Sequence, residues 1–196
     1  PKTVMGGVLM WPLEHAAAVF RAYRDLYVGR DDDRLSLCLV LTTDPYPDGE
    51  KVVMVYGMYV GDPAEAESHL APIRSAAKPL MDGFGPTSYY ELQTMLAEEI
   101  PYGMQSKWHG WYFTDGGFDD DAFERIIDGF QRTPSVYTMA RFDLLGGGAI
   151  ARVPADATAF VHRDSLFYIS IITVWERDDE TDANVAWTDE IAASLR

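Results

Sequence analysis

The spacing of hydrophobic positions changes along the chain, and each change predicts an element. Val4 to Trp11 is an apolar run with two glycines that ends at Pro12, which predicts a strand followed by a helix start. From Leu13 onward Ala16, Ala17, Phe20, Tyr23 and Tyr27 recur every three or four residues, an amphipathic helix closed by Gly29. The acidic turn Asp31-Asp32-Asp33 leads into a strand from Leu35 to Thr43. The turn-rich stretch Asp44 to Gly49 joins that strand to another, Val52 to Val60, as a hairpin. Asp62-Pro63 caps a helix with Ala66, Leu70, Ile73 and Ala77 on one side, completing a βαββα unit.

Gly83 to Pro86 reads as a loop, and Tyr89 to Ile100 as a short helix with Leu92 and Leu96 inward, stopped by Pro101. A strand from Lys107 to Phe113, a Gly116-Gly117 turn and a helix opened by Asp119 to Asp121 follow; Ala122, Phe123, Ile126, Ile127 and Phe130 form its apolar stripe. Ser135 to Leu145 and Leu166 to Trp175 read as strands around Gly146-Gly147-Gly148 and a loop with Pro154. Thr181 caps a last helix in which Trp187, Ile191 and Leu195 share a face. The second half thus repeats the order βαββα without repeating residues. The expected fold is α+β: one mostly antiparallel sheet with helices on one face, built from two ferredoxin-like βαββα halves. Val52 to Val60 is apolar on both faces, which calls for a covering layer or a partner on the other side of the sheet.

Composition narrows the function classes. The 196 residues are 47% hydrophobic and 24% charged, enough to bury one substantial core. A formal charge of -15 would repel phosphate backbones and anionic membrane surfaces, so nucleic acid and membrane are not expected partners. Apolar stretches fall short of the ~20 residues of a membrane helix. No signal peptide is visible, so the sequence carries no address; it leaves the compartment open and favours the cytoplasm. The single cysteine, Cys38, lies in an apolar strand and cannot form an internal disulfide.

Self-contained catalytic motifs are absent: no P-loop lysine, HExxH or GxSxG, and no dinucleotide fingerprint around Gly146-Gly147-Gly148. His15, His69, His109 and His162 are not paired at a metal-ligand spacing, and the acidic clusters sit at turns and helix starts, so no metal site is expected. Alternation places Lys107, His109 and Trp111 on one strand face, which suits either a polar ligand over aromatic walls or a sheet edge with a snorkelling lysine. Arg141 and Asp143 share a face, as a binding pair or a surface ion pair. Tyr168 and Ser170 become the polar members of a wall opposite Phe167 and Ile169.

From Val4 onward the chain resembles the substrate-binding part of bacterial berberine-bridge-enzyme-like FAD-linked oxidases, of the vanillyl-alcohol-oxidase superfamily. The resemblance rests on Gly6-Gly7-Val8-Leu9-Met10-Trp11-Pro12-Leu13, the run from Gly147 to Asp164 including Ala149-Ile150-Ala151-Arg152-Val153-Pro154 and His162-Arg163, and Trp175 leading to Ala186-Trp187. It implies a longer parent with an FAD-binding domain, which is the expected partner, and a further C-terminal segment supplying the main catalytic base. Residues 1–196 would then be one substrate-binding cap domain, excised from that parent and binding no cofactor alone.

The resemblance further implies that the open sheet face lies over the flavin ring. Tyr168 then takes a position where relatives can carry a catalytic base. Lys107, Arg141, Asp143 and Ser170 become substrate contacts, joined by His109 from its place on the Lys107 strand face, while His162 and Arg163 tether a loop at the domain interface. The expected activity is oxidation of an alcohol, sugar or amine carbon by hydride transfer to FAD. The alternative is a stand-alone ferredoxin-like module that binds a small molecule or pairs as a homodimer through its open face.

Overall fold

The computed structural model describes residues 3–27, 32–44, 49–95, 102–114, 119–145 and 148–195. Their strands are β1 (Thr3–Pro12), β2 (Leu35–Thr43), β3 (Lys51–Tyr59), β4 (Met81–Asp82), β5 (Gly85–Ser88), β6 (Gln105–Phe113), β7 (Met139–Leu144) and β8 (Phe167–Trp175). Their helices are α1 (Ala16–Tyr27), α2 (Pro63–Ala76), α3 (Tyr89–Thr94), α4 (Asp120–Gln131), α5 (Gly148–Ala151) and α6 (Thr181–Ser194). All strands join one antiparallel sheet in the order β4-β1-β3-β2-β7-β8-β6, with β5 beside β1. The α+β architecture and the two βαββα halves therefore stand as expected. The halves meet at the β2–β7 ladder, where Cys38 faces Asp143 and Leu41 faces Ala140.

Alternation along the strands divides the apolar residues between two faces. Leu9, Leu39, Val55, Phe142, Ile169 and Ile171 point to the four longer helices and join one core. At its centre Phe20 of α1 stacks on Phe123 of α4 at 3.8 Å, and Phe123 meets Phe142 edge-on at 5.1 Å, so the core runs unbroken across the seam between the halves. The Tyr23 hydroxyl lies between the carbonyls of Leu37 (3.1 Å) and Phe142 (3.0 Å), joining β2 to β7 from the helix side. On the opposite face Val8, Met10, Val40, Val52 and Met54 form a small cluster of their own.

The helix termini follow local chemistry. Asp62 accepts the Ala64 amide and Asp119 the Ala122 amide, each closing an otherwise unpaired first-turn donor. Ser88 and Glu91 form a reciprocal capping box on α3. Gly7 and Gly57 pair across β1 and β3 with φ of +143° and +149°, and a Cβ on Gly57 would come within 2.1 Å of the Ser36 carbonyl oxygen.

Four expectations need correction. Gly83 to Pro86 is not simply loop: Gly85–Ser88 pairs with β1, and Pro86 is tolerated there at the sheet margin. The strand expected from Ser135 begins at Met139, because the Ser135 hydroxyl folds the preceding residues into a turn, donating to the Val174 carbonyl and accepting the Tyr137 amide. Thr181 is the first residue of α6 and not its cap; its hydroxyl accepts the Trp175 indole N–H at 2.9 Å. Two short helices, α3 and α5, stand against the face opposite the four longer ones, where Leu92 and Ile150 contribute to a cleft. Gly29, Asp31, Leu96 to Pro101, Gly116-Gly117 and Gly146-Gly147 lie outside the described residues, as does the middle of the hairpin turn, 45–48.

Candidate functional site

Strand register, more than any single strand, builds the site. Tyr56 in β3 faces Cys38 in β2, Cys38 faces Asp143 in β7, Asp143 faces Tyr168 in β8, and Tyr168 faces Tyr112 in β6. These five side chains form one row across the uncovered face and line a cleft of about 410 Å³. The adjacent row brings Val40, Arg141, Ser170 and Gly110 together.

Within the cleft Arg141 and Asp143 are ion-paired: Nε and Nη2 of the guanidinium both donate to Asp143 Oδ1, at 3.1 and 2.8 Å. Cys38 is buried beside that carboxylate. Burial first, and then the negative charge of Asp143, pushes its thiol up to about 12, so it stays protonated and is neither nucleophile nor metal ligand at neutral pH. Burial likewise drives the Tyr56 phenol well above its ordinary value. Ser170 is fully buried in the row beneath, and its hydroxyl oxygen has no partner among the described residues.

Tyr168 tilts against Tyr112 with ring centres 4.8 Å apart, and its phenol lies across Gly110, where a Cβ would meet the hydroxyl oxygen at 2.4 Å. His162 stacks flat on the outer side of Tyr112 at 3.9 Å. Arg163 donates to the Phe160 carbonyl and to Thr158 Oγ1 (2.6 Å), and its guanidinium lies over the Phe160 ring. These two residues fix the loop that carries Phe160 to the mouth of the cleft.

The structure thus brings Arg141, Asp143, Tyr168 and Ser170 together, with His162 and Arg163 behind the rim. Lys107 and His109 are elsewhere. Lys107 pairs with Thr173 and His109 with Ile171, which turns both side chains to the helix-covered face. There they meet Asp189 of α6, at 2.5 Å from Lys107 Nζ and 3.4 Å from His109 Nε2. The Lys107 hydrogen bond, seconded by His109, holds the Asp189 carboxyl below the usual carboxylate range. The sheet separates this pair from the cleft, so of the two readings the snorkelling edge strand describes them. Tyr56, Cys38, Tyr112 and Phe160 are cleft residues that sequence reasoning missed, since their proximity depends on cross-strand register.

No protein-family model matches the chain. Among curated proteins it is 25% identical over 193 residues to an uncharacterised FAD-linked oxidoreductase of Bacillus subtilis, covering 97% of this chain and 42% of that protein. It is 23% identical over 149 residues to an FAD-linked oxidoreductase of Dictyostelium discoideum, covering 76% of this chain and 32% of that one. The chain therefore spans about a third to two-fifths of the length of these relatives. Among solved structures, a BBE-like protein of Arabidopsis thaliana superposes with a TM-score of 0.81 at 15% identity, covering 98% of this chain and 42% of that one. By sequence this chain is similar to a segment of FAD-linked oxidoreductases, and by fold to the corresponding share of berberine-bridge-enzyme-like proteins.

Proposed function

We propose that this chain is the substrate-binding part of a longer FAD-dependent oxidoreductase, and that the open sheet face forms one wall of its active site. The observation that carries the reading is the row of Tyr56, Cys38, Asp143, Tyr168 and Tyr112 lining an uncovered cleft, on a chain similar along its length to a minor part of FAD-linked relatives. Only part of the cofactor fits the residues present. The flat, aromatic-walled face suits a ring system. An anionic diphosphate has no comparable cradle among the described residues: the Ala149 amide at the start of the glycine-led α5 already donates to Asp33 Oδ1 at 2.6 Å, and a second anion would be repelled. FAD would accordingly be held by polypeptide outside this chain, with Tyr56 and Tyr168 facing its ring.

Bound FAD would supply the two-electron acceptor for a hydride from an alcohol, sugar or amine carbon. The chain's own residues orient and shape. Tyr168 directs its phenol at the substrate oxygen or nitrogen as a hydrogen-bond partner that orients the reacting carbon; Arg141 and Asp143 grip a polar substituent above Ser170; Tyr112 and Phe160 exclude water from one side.

Isolation of the native protein tests the reading. A polypeptide well above 22.0 kDa with the visible absorption of bound flavin is expected. A colourless protein of 22.0 kDa would overturn it and favour a stand-alone binding module.

A further inference from the structure

Resting on the reading of the cleft as a substrate site, we infer that it selects neutral, hydroxyl-bearing ring compounds and rejects both amines carrying positive charge and carboxylates. Arg141 and Asp143 are the charged side chains among its described lining residues, and they neutralise each other through two hydrogen bonds to one carboxylate oxygen. The remaining polar side chains among the described lining residues, those of Ser36, Cys38, Gln93, Tyr56, Tyr112 and Tyr168, carry no charge in their protonated or amide forms. Burial keeps Cys38 and Tyr56 protonated.

A ligand ammonium or carboxylate entering this space gives up water and meets no free counter-charge among the described lining residues, whereas a hydroxyl both donates and accepts and is matched by phenols that do the same. A ligand ring finds aromatic walls in Tyr112, Phe160 and Tyr168. The long-range field works the other way. A chain of net charge -15 attracts cations from solution, so a preference for the alcohol over the amine has to come from the cleft itself.

The test uses the flavin-loaded full polypeptide and three probes of one shape: benzyl alcohol, benzylamine and benzoate. Dissociation constants are measured at about 0.15 M salt, where distant charges are screened, and shifts of selectively labelled tyrosine rings report that binding is in the cleft. Benzyl alcohol is expected to bind at least about tenfold more tightly than either ion, a gap of about 1.4 kcal/mol. Asp143→Asn, which leaves Arg141 unbalanced, should turn the preference toward benzoate, and Arg141→Met should turn it toward benzylamine. Equal affinities in the wild type, or tighter benzylamine, overturn the inference while leaving the site in place. No tyrosine shift with any probe overturns the site reading and the inference together. The wild-type comparison decides the matter even if a variant fails to fold.

Discussion

At Gly110 a methyl group would come within 2.4 Å of the Tyr168 hydroxyl oxygen, so the phenol can lie over the cleft floor only because residue 110 has no side chain. Gly110 sits on the exposed edge strand β6, where Tyr168 could yield by rotating away. Gly110→Ala is therefore expected to lower kcat/KM of the flavin-loaded polypeptide about tenfold while shifting the melting temperature by no more than a few degrees. An unchanged kcat/KM would show that the position of Tyr168 is immaterial. Tyr168→Phe tests the hydroxyl alone. Loss of a hydrogen bond that orients the substrate is expected to lower kcat/KM about tenfold with flavin absorbance intact. Full activity in the variant would remove Tyr168 from the chemistry. The sequence paired Arg141 with Asp143 and Tyr168 with Ser170 on shared strand faces because alternation within a strand is legible without coordinates, and the β7–β8 register brings the two pairs together. Lys107 and His109 went astray for a related reason: alternation says which residues share a face, and only the pairing of Lys107 with Thr173 says which face it is.

Among the elements, boundaries were clearest where local chemistry sets them, as at Leu35–Thr43 and at the Asp62 and Asp119 caps. They were obscured where a distant contact decides, as with Ser135, whose hydroxyl reaches the Val174 carbonyl and starts β7 late. Gly85–Ser88 lacks a strand-like pattern and becomes a strand only because β1 offers it an edge. The β2–β7 seam depends on such long-range terms too. Tyr23 reaches it from α1, and Tyr23→Phe removes a buried hydroxyl shared by two strands. About 1–2 kcal/mol of stability should be lost, read from the urea midpoint; a change within error would show that the bridge contributes nothing. Gly57→Ala should be harsher, since its Cβ would meet the Ser36 carbonyl at 2.1 Å with φ at +149°. A loss of about 3 kcal/mol or more is expected, and a near-wild-type urea midpoint would refute the argument.

The molecule as a whole is acidic, and its pH response has a definite sign. The hydrogen bond from Arg34 holds the Asp32 carboxyl below the usual range, and that from Arg24 does the same for Asp120 at the start of α4. A carboxylate depressed in the folded state contributes its full stabilisation above its unfolded value of about 3.9 and loses it as pH falls through the lower folded value. The urea midpoint should thus decline below about pH 4. Asp120→Asn should be less stable than wild type at pH 7, and the gap should narrow as the pH falls below the usual carboxylate range and the wild-type group takes up its proton. A difference that persists unchanged at acid pH would mean that Asp120 acts by shape and not by charge.

The cleft straddles the line where the two halves join, and four residue pairs, from Cys38 with Asp143 to Leu41 with Ala140, set their alignment. Sliding one half by two residues would leave every side chain on its proper face, but Cys38 would meet a different neighbour, the row would break, and the Phe20–Phe123 stack across the seam would part. A chimera that takes one half from a relative has therefore to keep both the seam packing and the register to remain active. Descent is free to vary each half, provided that it conserves the phase between them.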